Sequence, residues 1–249
     1  MENFRTRLKR GDLLLGTVVS FPVPEVGEIL AEVGFDWLFI DLEHGPLELR
    51  NVLGLLQAVG EKTAGVVRVP LNDEVWIKRV LDLAPAGILV PQVNSVAEAE
   101  RVIRYSKYPP LGRRSVGVGR AHSYGARFEE YVRSADQETA VIIQAEHMEA
   151  VQHIEAILQV PGIDAILIGP YDLSASLGKT GQLTDPEVQA AIQRVKQACQ
   201  AARMPLGIFA GNATAARDWI EQGFSLLAIG MDAMFLSAAA GEALKTVRR

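Results

Sequence analysis

The sequence predicts a single (β/α)8 TIM barrel, and three observations carry the prediction. The chain has 249 residues, against the roughly 250 typical of that fold. Eight short runs rich in Val, Ile and Leu recur along it, separated by stretches with helical apolar spacing. No low-complexity linker or short-period repeat breaks the alternation, so residues 1–249 read as one domain. Strictly alternating strand and helix favour a parallel sheet, and near-continuous hydrophobicity in the strands says that both faces are covered. Eight units without a central break favour a closed barrel over a doubly wound sheet.

The expected strands are Leu13–Val19, Trp37–Asp41, Gly65–Val69, Gly87–Val93, Ala140–Ala145, Asp164–Gly169, Pro205–Ala210 and Leu226–Gly230. Helical spacing falls between them, as at Glu74–Leu83, Ser95–Tyr105, Glu149–Gln159, Asp185–Ala202, Ala213–Gln222 and Asp232–Arg248. The longest connection runs from Ser106 to Phe128 and contains Tyr108-Pro109-Pro110-Leu111-Gly112 and Ser115-Val116-Gly117-Val118-Gly119. Loops of this length in compact domains tend to be functional or disordered. Because it follows the fourth strand and helix, part of it has to return from the opposite face if it is to reach the strand ends. The last helix is apolar and rich in small residues beyond what one barrel flank needs, so it packs either on its own barrel or at an oligomer interface.

Composition narrows the function classes. With 49% hydrophobic and 22% charged residues, the chain is an ordinary globular one with ample material for a core. A net charge of -5 with dispersed Lys and Arg gives no basic face for a phosphate backbone, so no nucleic-acid partner is expected. Met1-Glu2-Asn3-Phe4-Arg5 has no apolar signal region, and no uncharged apolar run of about 18 residues occurs. A soluble, cytoplasmic protein with no membrane partner is the expectation. Cys199 is the only cysteine, which excludes an internal disulfide and suits inert packing in a helix.

Charge at the strand ends points to chemistry. The apolar run Phe35-Asp36-Trp37-Leu38-Phe39-Ile40 stops on Asp41, Glu43 and His44 before Gly45-Pro46 turns the chain. In a barrel the active site lies at the carboxyl ends of the strands. The polar residues there are Asp41, Glu43, His44, Arg68, Gln92, Gln144, Glu146 and Asp172. Oxygen ligands suit a hard divalent cation such as Mg²⁺ or Mn²⁺ better than zinc. Glu146 and Asp172 have a second reading as caps of the helices that follow. Arg68 sits after β-branched residues, where burial requires a carboxylate or anion partner, so a structural salt bridge competes with an anion site. His44 has the company expected of a general base. His122, His147 and His153 lack it and read as solvated or capping.

Two motifs fail on inspection. Gly178-Lys179-Thr180 imitates the end of a P-loop, but the required upstream glycine would be position 173, which is Leu173. Gly117-Val118-Gly119 lacks a third glycine, because position 122 is His122, and it follows no clear strand. No nucleotide is implied.

Taken together, Gly34-Phe35-Asp36-Trp37-Leu38-Phe39-Ile40-Asp41 with Glu43-His44, Val67-Arg68-Val69-Pro70, Leu89-Val90-Pro91-Gln92-Val93, Tyr108-Pro109-Pro110-Leu111-Gly112, Gln144-Ala145-Glu146 and Ile168-Gly169-Pro170-Tyr171-Asp172-Leu173-Ser174 carry a resemblance. The chain resembles the 2,4-dihydroxyhept-2-enedioate aldolase family, which includes 2-dehydro-3-deoxyglucarate aldolase and is related to macrophomate synthase, from about Gly11 to Ala243. The resemblance implies a class II pyruvate aldolase acting on 4-hydroxy-2-oxo acids with Mg²⁺, Mn²⁺ or Co²⁺. It maps the metal ligands onto Glu146 and Asp172, the oxo-acid arginine onto Arg68, a polar neighbour of the metal onto Gln144, and the histidine onto His44 with supporting carboxylates at Asp41 and Asp82. The backbone around Tyr171 to Leu173 would receive the substrate carboxylate. Two departures from the family pattern bear on the aldehyde pocket: Ala145-Glu146-His147 stands where Ile-Glu-Thr is frequent, and Phe21 stands where a tryptophan is expected. A homohexamer exchanging C-terminal helices is the implied assembly. Rival readings are a citryl-CoA-type lyase on the same barrel, a barrel that binds an oxo-acid or metal without turnover, and a Schiff-base aldolase. The last needs a desolvated lysine in the barrel, and none of Lys9, Lys62, Lys78, Lys107, Lys179, Lys196 and Lys245 falls in or at the end of an expected strand.

Overall fold

Residue parity along eight parallel strands organises the molecule. A computed structural model describes residues 2–248. Strands β1 (Leu14–Val19), β2 (Trp37–Asp41), β3 (Ala64–Arg68), β4 (Gly87–Val90), β5 (Ala140–Ala145), β6 (Ala165–Ile168), β7 (Leu206–Ala210) and β8 (Leu226–Met231) pair in sequence order, and β8 closes on β1. Every pairing is parallel. The helices are α1 (Phe4–Arg10), α2 (Pro24–Val33), α3 (Leu49–Val59), α4 (Glu74–Leu81), α5 (Val96–Ser106), α6 (Phe128–Glu138), α7 (Met148–Ile157), α8 (Pro170–Ser176), α9 (Pro186–Ala202), α10 (Ala213–Glu221) and α11 (Asp232–Val247). The expected (β/α)8 barrel is the observed fold. The fourth strand ends earlier than expected, at Val90, because Pro91 has no N–H for the ladder and Gln92 takes a left-handed φ of 54°.

Alternate strand residues build two separate cores. Trp37 and Phe39, Val66, Leu89, Ala140 and Ile142, and Ala165 and Leu167 point into the barrel, where Phe4 and Leu8 of α1 join them from the N-terminal end. Their neighbours Leu38, Ile40, Val67, Ile88, Ile143 and Ile166 face the helices. The period of two therefore carries the inward face on to Asp41 in β2, Arg68 in β3 and Gln144 in β5 at the C-terminal rim. Glycine makes room where the interior is fullest. A Cβ on Gly16 would stand 2.5 Å from the Trp37 ring.

The connection after α5 stays at the N-terminal end of the barrel. Arg113 and Arg114 amides bond back to the carbonyls of Arg104 and Lys107, while Arg120 donates to Leu83, Ala84 and Leu56 carbonyls, all of which precede strands. Within one chain it does not reach the strand C-termini. His122 on this connection corrects its sequence reading as solvated or capping: it is fully buried, with its ring stacked 5.1 Å from Phe128 and edge-on to Tyr131 at 4.7 Å. Helix α11 is held at its first residue. The Asp232 carboxylate accepts from the Ser20 and Phe21 amides, each at 2.8 Å, and from the Ser20 hydroxyl at 2.7 Å. Beyond that residue it leaves Met234, Phe235, Leu236, Leu244 and Val247 exposed.

Replacing Gly16 by Ala overpacks the barrel interior against Trp37, whose ring is buried and whose indole N–H donates to the Leu14 carbonyl. A loss of about 1–3 kcal/mol is expected, read as a lower urea midpoint with unchanged slope.

Candidate active site

Asp41 and Arg68 end adjacent strands and stand opposite each other in register. Arg68 Nε donates to Asp41 Oδ1 at 2.8 Å and Nη2 to Oδ2 at 2.6 Å, a bidentate pair with side chains only 4% and 8% exposed. The remaining nitrogen, Nη1, lies 2.9 Å from Glu43 Oε2 and donates to Gln144 Oε1 at 3.4 Å. The guanidinium rests 4.9 Å above the Phe39 ring, which forms the next layer down. Burial raises the Asp41 carboxyl, but the Arg68 guanidinium and the Glu43 and His44 amides outweigh it and hold the group below its ordinary value. Burial works against the Arg68 charge, yet Asp41, Glu43 and Glu146 keep it firmly protonated. Of the two sequence readings of Arg68, the salt bridge is present.

A hydrogen-bonded line continues across the rim. Gln144 Nε2 donates to Glu146 Oε2, and Glu146 Oε1 accepts from the Gln92 amide at 2.8 Å. The left-handed Gln92 is what turns that N–H inward, a cost tolerated where surrounding structure fixes it. Glu146 therefore does not cap the helix after it; His147 does, accepting from the Glu149 amide at 3.2 Å. Burial pushes the Glu146 carboxyl up to about 7, with Glu43 and Asp172 adding to the effect and the Gln92 amide and Arg68 opposing it. Asp172, half-buried in the first turn of α8, enters the same field.

These residues fit a hard divalent cation. Burial is the main cost of charging Glu146 and Glu43; Glu43 and Asp172 add to it at Glu146, Asp172 adds to it at Glu43, and a cation relieves it. Space is kept beside them by Gly169, where a Cβ would stand 2.8 Å from Gln144 Nε2 and 3.0 Å from Glu146 Oε2. Among the described residues no group of three or more His, Cys, Asp or Glu converges as a ready-made cage. A set of two carboxylates matches a cation that keeps positions for water and substrate.

The other expected residues are dispersed. His44 is on the rim with its side chain 61% exposed, and Nε2 is 3.8 Å from Glu43 Oε2. Tyr171 is exposed at the start of α8, its ring 6.0 Å from Phe209. Asp82 is not brought to this site within the chain: it follows α4 at the opposite end and accepts from Arg114 Nη2 at 2.8 Å. Sequence reasoning named Glu43 and Gln92 as strand-end polar residues without giving either a role. Lys107, the buried lysine, lies far from the rim after α5, where its ammonium donates to the Asp136 and Thr139 carbonyls. Cys199 is buried, and burial alone pushes its thiol up to about 12, as inert packing requires.

A closed parallel barrel with an arginine, an amide and carboxylates gathered on its C-terminal rim defines the class, a (β/α)8-barrel enzyme. The relatives make it particular. Residues 20–239 match the model of the HpcH/HpaI aldolase/citrate lyase family, and the chain belongs to that family. It is similar to a 4-hydroxy-2-oxo-heptane-1,7-dioate aldolase of Shigella flexneri, 40% identical over 96% of this chain and 91% of that one. A hydroxypyruvate/pyruvate aldolase of Pseudomonas aeruginosa is 38% identical over 95% of this chain and 89% of the relative. The crystal structure of a family member from Burkholderia cenocepacia superposes with a TM-score of 0.95 at 35% identity, covering 98% of both chains. The resemblance read from the strand ends is borne out at family level.

Replacing Asp41 by Asn leaves the Arg68 charge buried with less compensation. We expect a loss of about 3–5 kcal/mol in urea unfolding at pH 7. Because folding lowers the Asp41 carboxyl, its contribution is present above the unfolded value of 3.8 and is lost as the pH falls towards the folded value. The deficit of the variant should accordingly shrink in acid.

Proposed function

We propose that the protein is a metal-dependent, class II aldolase that reversibly cleaves a 4-hydroxy-2-oxo acid to pyruvate and an aldehyde. The observation that carries this reading is the continuous line Asp41–Arg68–Gln144–Glu146–Gln92 on the rim. Relatives named for 4-hydroxy-2-oxo-heptane-1,7-dioate and for hydroxypyruvate or pyruvate support the substrate class. Succinic semialdehyde and hydroxyaldehydes are the aldehydes that suit it.

Glu146 and Asp172 would hold Mg²⁺, Mn²⁺ or Co²⁺, with Gln144 beside them. Such an ion, when bound, supplies positive charge against the negative charge that a 2-oxo acid develops as its C3–C4 bond breaks. Arg68, fixed by Asp41 and Glu43, presents its guanidinium to the same developing charge and is already oriented before substrate arrives. Tyr171 and Asp172 stand at the mouth to meet the oxo-acid. His44 takes the proton of the 4-hydroxyl in cleavage and returns it in condensation. Asp82, tied to Arg114 at the other end, has no step in this scheme. The lysine-dependent route is disfavoured because the buried Lys107 is remote from the rim.

The same reading extends to assembly. A 16-residue apolar helix whose side chains stay exposed along nearly its whole length fits packing against further copies of this chain, and we propose a homo-oligomer, a hexamer by family resemblance. No described helix is long and apolar enough to cross a membrane.

Pyruvate tests the site without a choice of aldehyde. Exchange of its methyl protons in D₂O, followed by proton NMR, should require added Mg²⁺, Mn²⁺ or Co²⁺ on chelator-stripped protein and should disappear in Glu146→Ala. No exchange with any of the three ions would remove the aldolase reading. Light scattering should give a mass several times that of the 27.1 kDa chain; a monomer would remove the assembly.

A further inference from the structure

We infer that Asp232, the first residue of α11, is the positioning carboxylate of the rim loop that carries Ser20 and Phe21, and through that loop fixes the side of the site that receives the aldehyde. The catalytic consequence rests on the aldolase reading above, and the contact on geometry alone. Asp232 is only 5% exposed, and four uncharged donors converge on it. Oδ2 accepts the Ser20 and Phe21 amides at 2.8 Å, while Oδ1 accepts the Ser20 hydroxyl at 2.7 Å and the Ala233 amide of its own helix at 2.8 Å. A buried carboxylate is costly unless its oxygens are satisfied. Three of the four donors come from a loop 211 or 212 residues earlier, which a helix start needing only a local cap does not require. All four bonds lie within one chain, and the exposed side chains of α11 begin beyond them, at Met234.

Strand pairing explains why the loop needs this hold. β1 and β8 shift register between Gly16 and Val18, and Gly230 is left-handed with φ 58°. A bulge disrupts the ladder and re-aims the side chains that follow it. Beyond the pair Val18 and Met231, the Asp232 side chain joins the two strand ends in place of ladder bonds. The loop it holds borders the uncharged part of the rim. Residues 19–24, 210–214 and 230–233 lie at the ends of β1, β7 and β8, neighbours in the closed barrel, and Asp232 is the one charged residue among them. Arg68, Glu146 and Asp172 belong to the ends of β3, β5 and β6. An oxo-acid held by its carboxylate and 2-oxo oxygens on that charged side extends C4 and the aldehyde carbons towards the uncharged one, where the Ser20-Phe21 loop sets the room they find. The turn that carries His44 is fixed separately, because Asp41 accepts the Glu43 and His44 amides at 2.9 and 3.4 Å. Asp232 therefore bears on the aldehyde and not on formation of the enolate.

Two readouts separate this role from plain support of the fold. Hydrogen–deuterium exchange followed by mass spectrometry should show residues 17–24 exchanging about 10-fold faster or more in Asp232→Ala, with residues 37–46 unchanged. With metal added, the same variant should keep pyruvate methyl exchange within about 2-fold of wild type. Its kcat/KM for glycolaldehyde or succinic semialdehyde in condensation with pyruvate should fall roughly 10-fold or more, through KM. Asp232→Asn, which keeps one acceptor oxygen, should fall between, and with Ser20→Ala it serves if the alanine variant does not fold. Asp164→Asn weakens a buried carboxylate that accepts from Arg5 and the Val141 amide at the other end of the barrel, and should lower stability without moving the aldehyde KM. Unchanged exchange at residues 17–24 in the Asp232 variants, an equal loss of pyruvate exchange and aldehyde turnover, or an aldehyde KM moved as far by Asp164→Asn would overturn the inference. Wild type lacking metal-dependent pyruvate exchange would instead remove the aldolase reading, with the hydrogen-exchange arm still reporting on the loop.

Discussion

The buried pair of Asp41 and Arg68 is the constraint on which the rim depends. Removing two charges from water is costly, and the pair is stable only because each oxygen of Asp41 and each nitrogen of Arg68 finds a partner. Those partners are the functional residues themselves. Asp41 turns the chain that presents Glu43 and His44, and Arg68 reaches across to Gln144, which in turn holds Glu146. Desolvation thus links β2, β3 and β5 into one arrangement in which moving any member leaves another charge less well satisfied.

The barrel supplies this arrangement by simple alternation. Residues of one parity pack the interior as Trp37 and Phe39, Val66, and Ala140 and Ile142, and the same parity delivers Asp41, Arg68 and Gln144 where the apolar layers end. Polar groups are tolerated there because the rim is open to substrate and solvent, whereas the layer below is filled by aromatic rings. The contact of Arg68 with Phe39 marks the boundary between the two regimes.

Much of this was legible in the sequence, for reasons that follow from local chemistry. Strand Trp37–Asp41 is an uninterrupted apolar run with a charged end, so its position and its functional edge could both be read. Arg68 among β-branched residues required a partner, and the partner was the carboxylate on the neighbouring strand. What could not be read depends on distant packing. Gln92 is left-handed at the point where its amide donates to Glu146, fifty-four residues on. His122 looks like any loop histidine until Tyr108, Phe128 and Tyr131 close around it. The side of the barrel taken by the connection after α5 is set by its bonds to carbonyls of Leu56, Leu83 and Ala84, which no local spacing announces.

The two ends of the barrel carry separate burdens. At the N-terminal end Arg114 is boxed by Asp82, Tyr108 and Tyr131, Lys107 by backbone carbonyls, and His122 by aromatic rings. Polar groups there are held by neighbours within the chain, while those at the rim must also accommodate a visitor. A protein divided this way can drift at one end without altering what it does at the other. Its loops at the rim are free to change selectivity over generations, provided the far end goes on holding the cylinder shut.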